Sequence, residues 1–283
     1  RDAQESRGLG DVYKRQPKRV RHTLRFRALE VIKTERITPH LLRITVGGDE
    51  LADFVSPGFD DHVKLFFPDA NGVLSLPTAG PDGPIWPDGV KPTMRDYTPR
   101  GYDPVAKTLE IDFALHLAGP ATRWAEQAAP GHRIGVGGPR GSFIVTTDFD
   151  WHLLVGDDTA LPAISRRLAE LPAGAHAIVI AEVDSAEDKV DLPTAANVQV
   201  IWAYRDAASA GSLPLLTALE QAGLPEGDFH AWVACESAAA KAVRTHLIEV
   251  RQANPKWIRA SGYWRKGNAD TCLLYTSPSP RDS

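Results

Sequence analysis

The chain has 283 residues, of which 43% are hydrophobic and 24% are charged, and its formal net charge is −4. A chain of this size can bury two moderate cores, and its 32 basic against 36 acidic residues argue against general nucleic-acid binding. It contains no run of eighteen apolar residues and no secretory h-region, so the sequence predicts no membrane span and a cytoplasmic location.

The two ends differ in character from the body of the chain. Residues 1–16 and 271–283 follow no hydrophobic period and look like translated adapter sequence, so we expect both to be non-native tails. Cys272 falls in the second tail, which leaves Cys235 as the only thiol of the body. The body then cannot form an internal disulfide, which fits a reducing compartment.

Residues 17–146 are predicted to form a small β-barrel domain. Six short segments alternate apolar and polar residues between Pro and Gly turn signals, which predicts a six-stranded antiparallel β-barrel. The predicted strands are 25–34, 41–46, 62–67, 93–98, 109–117 and 132–136. Residues 77–92 are rich in proline and glycine and are predicted to form a loop.

The strand 93–98 places a cation, an aromatic ring and a hydroxyl together. Side chains alternate along a strand, so Arg95 and Tyr97 point the same way, about 7 Å apart. This spacing suits a guanidinium on a phosphate beside a ring against an isoalloxazine, with the Thr98 hydroxyl near the polar edge. Taken alone, the tripeptide also fits an ordinary surface strand.

A helix start suited to a pyrophosphate is predicted shortly after the next strand. The strict alternation of 109–117 puts His116 on its polar face, and Pro120 after Gly119 suits the first position of a helix over 121–129. Free N–H groups and the positive dipole end at that start favour an anion. The flavin dinucleotide site is therefore assigned to Arg95, Tyr97, Thr98, His116, Gly119, Pro120, Ala121 and Thr122.

Residues 147–270 are predicted to form an α/β domain. Buried strands are expected at 151–155, 177–182, 198–203 and 229–235, with helices near 159–171, 211–222 and 237–250. This alternation predicts a parallel sheet with right-handed crossovers. The first turn, Gly156-Asp-Asp-Thr, lacks the Gly-x-Gly-x-x-Gly fingerprint and places two aspartates where a pyrophosphate would lie. Thr159 is predicted to cap the next helix, with a contact to the flavin edge as a second role.

Five segments in this order resemble the siderophore-interacting protein family. They are Arg95-Asp-Tyr-Thr, His116-Leu-Ala-Gly-Pro-Ala-Thr-Arg-Trp-Ala125, Gly138-Pro-Arg-Gly141, Gly156-Asp-Asp-Thr-Ala-Leu-Pro-Ala-Ile164 and Gly262-Tyr-Trp-Arg265. The family comprises FAD-dependent ferric-siderophore reductases related to ferredoxin reductases. The resemblance implies an FAD barrel, a domain that binds NADPH or NADH at the carboxyl ends of its strands, and reductive release of iron from a ferric siderophore, with ferredoxin as another donor.

Two residues of the second domain are assigned to the nicotinamide nucleotide. Arg205 follows the third predicted strand, where it could meet a ribose or a 2′-phosphate, and a solvated loop arginine is the equal alternative. Glu236 ends the fourth strand, where a nicotinamide would stack. The family pattern has glycine before this glutamate, so Cys235 departs from it and is expected to be a buried, inert thiol.

The sequence offers no ligand cluster for iron, because its nine histidines are scattered and it has no Cys-x-x-Cys spacing. Iron is then expected to arrive already chelated. Ferric siderophores are often anionic, and the resemblance places Lys64, Arg259 and Arg265 at the flavin as cationic substrate contacts. A solvated basic face is the alternative.

Two other functions stay open at this point. One is a generic NAD(P)H:flavin or ferredoxin-type oxidoreductase with another acceptor, and the other is a non-enzymatic iron-chelate carrier. In an enzyme of the predicted kind the flavin supplies the chemistry, so no catalytic acid, base or nucleophile is assigned to the protein.

Overall fold

The computed structural model describes residue 15 and residues 17–81, 83–89, 91–115 and 119–267. His116, which the sequence assigns to the flavin site, lies outside these residues. Arg15 falls within the segment expected to be a tail, and it donates a hydrogen bond of 2.6 Å to Asp228 and lies over the rings of Phe149 and Trp257. The boundary predicted between 146 and 147 stays a prediction.

The first half of the chain is built on a seven-stranded antiparallel sheet. Its strands, in spatial order, are β7 (Met94–Tyr97), β4 (Val63–Phe66), β10 (Arg133–Gly137), β2 (Phe26–Thr38), β3 (Leu41–Gly47), β9 (Thr108–Ala114) and β8 (Pro99–Asp103). Two small antiparallel pairs accompany it, β1 (Lys18–Arg21) with β11 (Gly141–Ile144) and β5 (Thr78–Gly80) with β6 (Gly83–Ile85). Helix α1 (Pro120–Gln127) follows β9.

The sheet corrects the prediction of six strands in a closed barrel. Strand β8 was missed because Pro99 was expected to end the preceding strand, whereas Pro99 begins β8 at the sheet edge, where proline is tolerated. β7 and β8 lie at opposite edges, although only Thr98 separates them in the chain. The sheet therefore curls, and the chain itself joins its two edges through Thr98.

The interior of the curled sheet holds the alternating apolar residues. Leu109, Ile111 and Phe113 of β9 are at most 1% exposed, which confirms the inward face predicted for this segment. Val63 and Leu65 of β4 lie in the same core, and Ala121 and Ala125 of α1 pack against it.

The second half is a five-stranded parallel sheet with spatial order β14 (Asn197–Tyr204), β13 (His176–Val183), β12 (Trp151–Asp157), β15 (Phe229–Glu236) and β16 (Ile258–Trp264). Helices α2 (Leu161–Glu170), α3 (Pro214–Gln221) and α4 (Ser237–Glu249) connect the strands. The predicted class, an antiparallel flavin-type barrel followed by a parallel-sheet domain, is confirmed. The sequence missed β16 because all seven of its residues are only half-buried, so it carries no buried apolar run.

Buried polar contacts join the two halves. Arg166 of α2 donates to the carbonyl oxygens of Ser56 (2.6 Å) and Pro99 (3.0 Å), and the indole of Trp232 donates to the Asp60 carboxylate (3.1 Å). The short turn 158–160, at the carboxyl end of β12, lies against β9. None of the helices in the described residues is both long and apolar enough to cross a membrane.

Candidate functional site

Strand β7 presents Arg95 and Tyr97 on one face, as the alternation predicts. The register with β4 pairs Arg95 with Leu65 and Tyr97 with Val63, while Lys64 pairs with Asp96 on the opposite face. Residues directly opposite each other in an antiparallel pair share a face. Arg95 is half-buried, and its Nη1 donates a hydrogen bond of 2.8 Å to the carbonyl oxygen of Met94.

A row of aromatic rings connects this strand with helix α1. The Tyr97 ring lies 4.5 Å from that of Phe113, and Phe113 lies 6.0 Å from Trp124 on α1. Burial raises the pKa of the Tyr97 hydroxyl, so the phenol is neutral at all physiological pH values. Thr98 is buried at the bend between β7 and β8. The tertiary structure thus brings the two predicted parts of the flavin site together through packed side chains.

The first turn of α1 has the geometry of an anion site. Gly119 precedes the helix in extended conformation, Pro120 takes the first helical position, and no side chain caps the start. A Cβ added at Gly119 would meet no atom of the described residues within 4 Å, apart from its neighbours in the chain. Ala121 and Thr122 are buried, which fixes the helix start against the barrel. A helix start that no side chain caps can receive an anion, so the assignment of the FAD pyrophosphate to this turn stays a prediction.

The carboxyl end of β12 is organised by a buried aspartate. Asp157 is 2% exposed and accepts hydrogen bonds from the Trp264 indole (2.7 Å), the Glu236 amide (3.1 Å) and the Thr159 amide (3.0 Å). Asp157, rather than the predicted Thr159, is therefore the residue that caps this turn. The helix itself begins at Leu161, four residues after Asp157, and Ala160 is its N-cap residue. Thr159 is held by Asp157, and its assignment as a helix cap was wrong.

The glycine before this turn is required by close packing. A Cβ on Gly156 would lie 2.4 Å from the Cβ of Ala160 and 2.8 Å from the carbonyl oxygen of Ala234. Glycine at this position lets the turn approach the backbone of β15 closely. The two aspartates after Gly156 are thus buried structural groups, where the sequence suggested two charges facing a nucleotide.

Arg205 is paired with carboxylates and does not project freely as the sequence suggested. It donates hydrogen bonds to Asp184, Glu182 and Asp158, which lie on or just after the first two strands of the sheet. Burial alone would lower the pKa of the guanidinium, but the carboxylates raise it, so it stays charged. The alternative of a solvated loop arginine is therefore wrong, and a contact between Arg205 and a nucleotide stays a prediction.

Glu236 acts as a helix cap in the structure. Its Oε2 accepts hydrogen bonds from the amides of Ala238 (2.6 Å) and Ala239 (3.2 Å) at the start of α4, and its Oε1 accepts one from Lys266 (3.3 Å). Cys235 before it is buried, and burial raises the pKa of its thiol, as expected for an inert cysteine. A contact between Glu236 and a nicotinamide stays a prediction.

The three cations assigned to the substrate do not form one group. Lys64 pairs with Asp96 (2.6 Å), and Arg259 pairs with the buried Asp60 (2.6 Å) and lies 4.0 Å from the Phe143 ring. Arg265 is exposed just beyond β16, whereas Arg259 lies at its beginning, roughly 20 Å away along the strand. The predicted single cationic rim is therefore not present.

Sequence reasoning also missed Asp60, which orders this part of the interface. Its Oδ2 accepts hydrogen bonds from both Trp232 and Arg259, the latter 199 residues away in the chain. No local pattern marks Asp60, because its partners are brought to it only by the docking of the two halves.

One group of the described residues brings possible metal-binding atoms together: His40, Asp184 and Asp188, within 4.8 Å of one another. Asp188 already accepts hydrogen bonds from Thr38 and from the His40 amide, both at 3.1 Å. This group links the barrel to the loop after β13, and we assign no ion to it.

Comparison with known proteins identifies both halves of the chain. Residues 30–143 match the siderophore-interacting FAD-binding domain, and residues 149–267 match the siderophore-interacting protein model. NADPH-dependent ferric-chelate reductase of Escherichia coli is 38% identical over 253 residues, covering 88% of this chain and 97% of the relative. Ferric vibriobactin reductase ViuB of Vibrio cholerae is 37% identical, covering 85% and 90%. The crystal structure of a siderophore utilization protein from T. fusca superposes with a TM-score of 0.85 at 36% identity, covering 93% of this chain and all of that one.

Proposed function

The chain belongs to the siderophore-interacting protein family, and from this premise we propose that it is an FAD-dependent ferric-siderophore reductase that takes its electrons from NADPH or NADH. The proposal rests on two features of the half that matches an FAD-binding domain. Strand β7 presents Arg95 and Tyr97 on one face, and the helix that starts after Gly119 has no side-chain cap. The relatives named above are reductases of ferric chelates, which supports the same reaction here.

The residues of the barrel would hold the cofactor in three places. The Arg95 guanidinium would bind a phosphate, and the first amides of α1, at Ala121 and Thr122, would bind the pyrophosphate. The Tyr97 ring would lie along the isoalloxazine, and the Thr98 hydroxyl would contact its polar edge. The packing of Tyr97 on Phe113 fixes the position of the ring before any ligand arrives.

Bound FAD supplies the redox chemistry, because it accepts two electrons as a hydride and can pass them on one at a time. The protein's part is to hold the donor and the ferric chelate on the cofactor and to exclude water from it. The substrate is Fe(III) held by the oxygen atoms of the chelator, and reduction to Fe(II) weakens binding by such hard donors. No bond of the chelator needs to break.

The finer features of the reaction are part of the same proposal. Arg265 is the exposed cation that we retain as a contact for anionic chelates, since Lys64 and Arg259 are paired with carboxylates. We place the reaction in the cytoplasm, which the single buried thiol of the body supports. Reduced ferredoxin is an alternative donor to be tested beside the nicotinamide nucleotides.

The test is an anaerobic half-reaction experiment on the purified protein. We expect bound FAD at about one per chain, bleaching of its absorbance by NADH or NADPH, and recovery of the absorbance when a ferric siderophore is added. In a generic flavin oxidoreductase, NADH or NADPH would bleach the flavin absorbance, but a ferric siderophore would not restore it. A carrier would bind the chelate and contain no flavin.

A further inference from the structure

The carboxyl ends of strands β12, β13 and β14 carry an excess of negative charge. The acidic residues on these strand ends and on the loops that directly follow them are Asp157, Asp158, Glu182, Asp184, Glu187, Asp188, Asp191 and Asp206, and the basic residues there are Lys189 and Arg205. The ends of these strands are where an open parallel sheet receives a nucleotide. Asp157, Asp158 and Asp188 are buried, but the other five acids are half-buried or exposed and outnumber the two cations, so a nucleotide bound here meets an excess of negative charge.

The cation best placed for a phosphate is already neutralised. All three nitrogens of the Arg205 guanidinium are used: Nε donates to Asp184, Nη1 to Glu182 (3.3 Å) and Nη2 to Asp158. The side chain is only 21% exposed. Three carboxylates around one guanidinium leave the group with a net negative charge, so it repels a further anion.

The residue that follows the second strand is an acid. β13 lies next to β12 and ends at Val183, so Asp184 is the first residue beyond it. In dinucleotide-binding sheets an aspartate or glutamate near this position accepts a hydrogen bond from the ribose 2′-hydroxyl of NAD, whereas a free arginine accommodates the 2′-phosphate of NADP. Asp184 is 27% exposed, which leaves part of its carboxylate accessible.

The cleft beside this residue is also uncharged. It lies between β14 and α3, and its polar lining consists of Tyr204, Ser209, Ser212, Thr217 and Gln221. Tyr204 pairs with Val183, and the Asp206 amide donates to the Asp184 carbonyl oxygen (3.0 Å), so the cleft adjoins Asp184. Hydroxyl and amide groups suit a ribose and a purine, but they do not compensate a 2′-phosphate, which carries about −1.5 to −2 at neutral pH.

We infer that the nucleotide site selects against the 2′-phosphate, so that this chain prefers NADH to NADPH, with Asp184 as the specificity-determining residue. The inference rests on the proposed function, which provides for a nicotinamide nucleotide at these strand ends. It separates this chain from the Escherichia coli relative, whose name specifies NADPH. Lys189 is an exposed cation beside the cleft, with its Nζ 5.4 Å from the centre of the Tyr204 ring, and it is the residue that a 2′-phosphate would use if the inference were wrong.

The experiment measures equilibrium binding and does not depend on turnover. Calorimetric titration of the oxidised, FAD-loaded protein with NAD⁺ and with NADP⁺ gives the two dissociation constants, and 5′-AMP and 2′,5′-ADP isolate the effect of the phosphate. We expect NAD⁺ and 5′-AMP to bind more tightly. Asp184→Asn should shift the ratio of the two constants toward NADP⁺ by about five-fold, because one close negative charge is removed and Arg205 loses a partner.

Matched variants separate the specific effect from a general one. Asp206→Asn removes the same charge from an exposed neighbour of Asp184 that does not pair with the Arg205 side chain, and it should change the ratio much less. Glu182→Gln is a second test if Asp184→Asn does not fold. Tighter binding of NADP⁺ to the wild type, lost in Lys189→Ala or Arg205→Lys, would overturn the inference. If neither nucleotide bound, the inference would also be overturned. The proposed function fails on different results, namely if the protein lacked FAD or if the chemically reduced protein did not reduce ferric siderophores.

Discussion

Replacement of Arg95 by alanine is the sharpest test of the flavin site. Arg95 is half-buried on the edge strand β7, and its Nη1 donates a hydrogen bond to the carbonyl oxygen of Met94. Because an edge strand is paired with the sheet on one side only, we expect the Arg95→Ala barrel to stay folded, and its melting temperature checks this. The expected loss is the contact between its guanidinium and a phosphate of FAD.

The size of the effect follows from the nature of that contact. A hydrogen bond to a charged group contributes about 1.5–3 kcal/mol, so its loss should raise the dissociation constant for FAD by roughly 10-fold to 150-fold. Such a loss should convert a protein that purifies yellow into one that purifies largely without flavin. Arg95→Lys should recover part of the affinity, because it keeps the charge but loses the planar fork.

The assay is titration of the apoprotein with FAD, followed by the quenching of flavin fluorescence, together with the melting temperature of each apoprotein. Arg133→Ala is the control, because Arg133 is an exposed arginine on β10 of the same sheet. We expect it to bind FAD as the wild type does. If Arg95→Ala bound FAD with unchanged affinity, the assignment of β7 to the cofactor would be refuted.

Three further predictions concern the helix start, the interface and pH. Gly119→Ala should leave the melting temperature unchanged, because its Cβ would meet no atom of the described residues beyond its chain neighbours and the backbone is extended, yet it should weaken FAD binding; unchanged affinity would mean that no phosphate lies there. Asp60→Asn should lower the free energy of unfolding in denaturant by about 1.5–3 kcal/mol, because the half-buried Arg259 loses its charged partner, and an unchanged free energy of unfolding would contradict this. Burial lowers the pKa of His152 to about 4 and that of His230 to about 3, so the unfolded chain binds protons near pH 6.5 while the folded chain does not. The free energy of unfolding should then fall between pH 6.5 and pH 4, by up to about 1.4 kcal/mol per pH unit for each histidine, and a His230→Gln variant should show a shallower fall.

Local sequence determined many of the elements and the parts of the proposed flavin site that lie within one element. Alternation along β7 sets Arg95 and Tyr97 on one face, and the Gly119-Pro120 pair starts α1 where predicted, because strand faces and helix starts depend on neighbouring residues. The buried runs of β12, β13 and β15 were also recognisable from their apolar composition. Strands β8 and β16 were missed because one begins with proline at an edge and the other is half-buried throughout.

The roles of the charged residues were decided only by the tertiary structure. Arg205, Arg259 and Lys64 are solvent-facing cations when the sequence is read locally, but each meets a carboxylate that other strands or the other half bring to it. The Coulomb energy of a charge depends on distances in space, and partners such as Asp60 and Arg259 are far apart in the chain. The sequence by itself thus determined which faces and helix starts could bind the flavin, and the folded structure decided which charges remain available to a ligand.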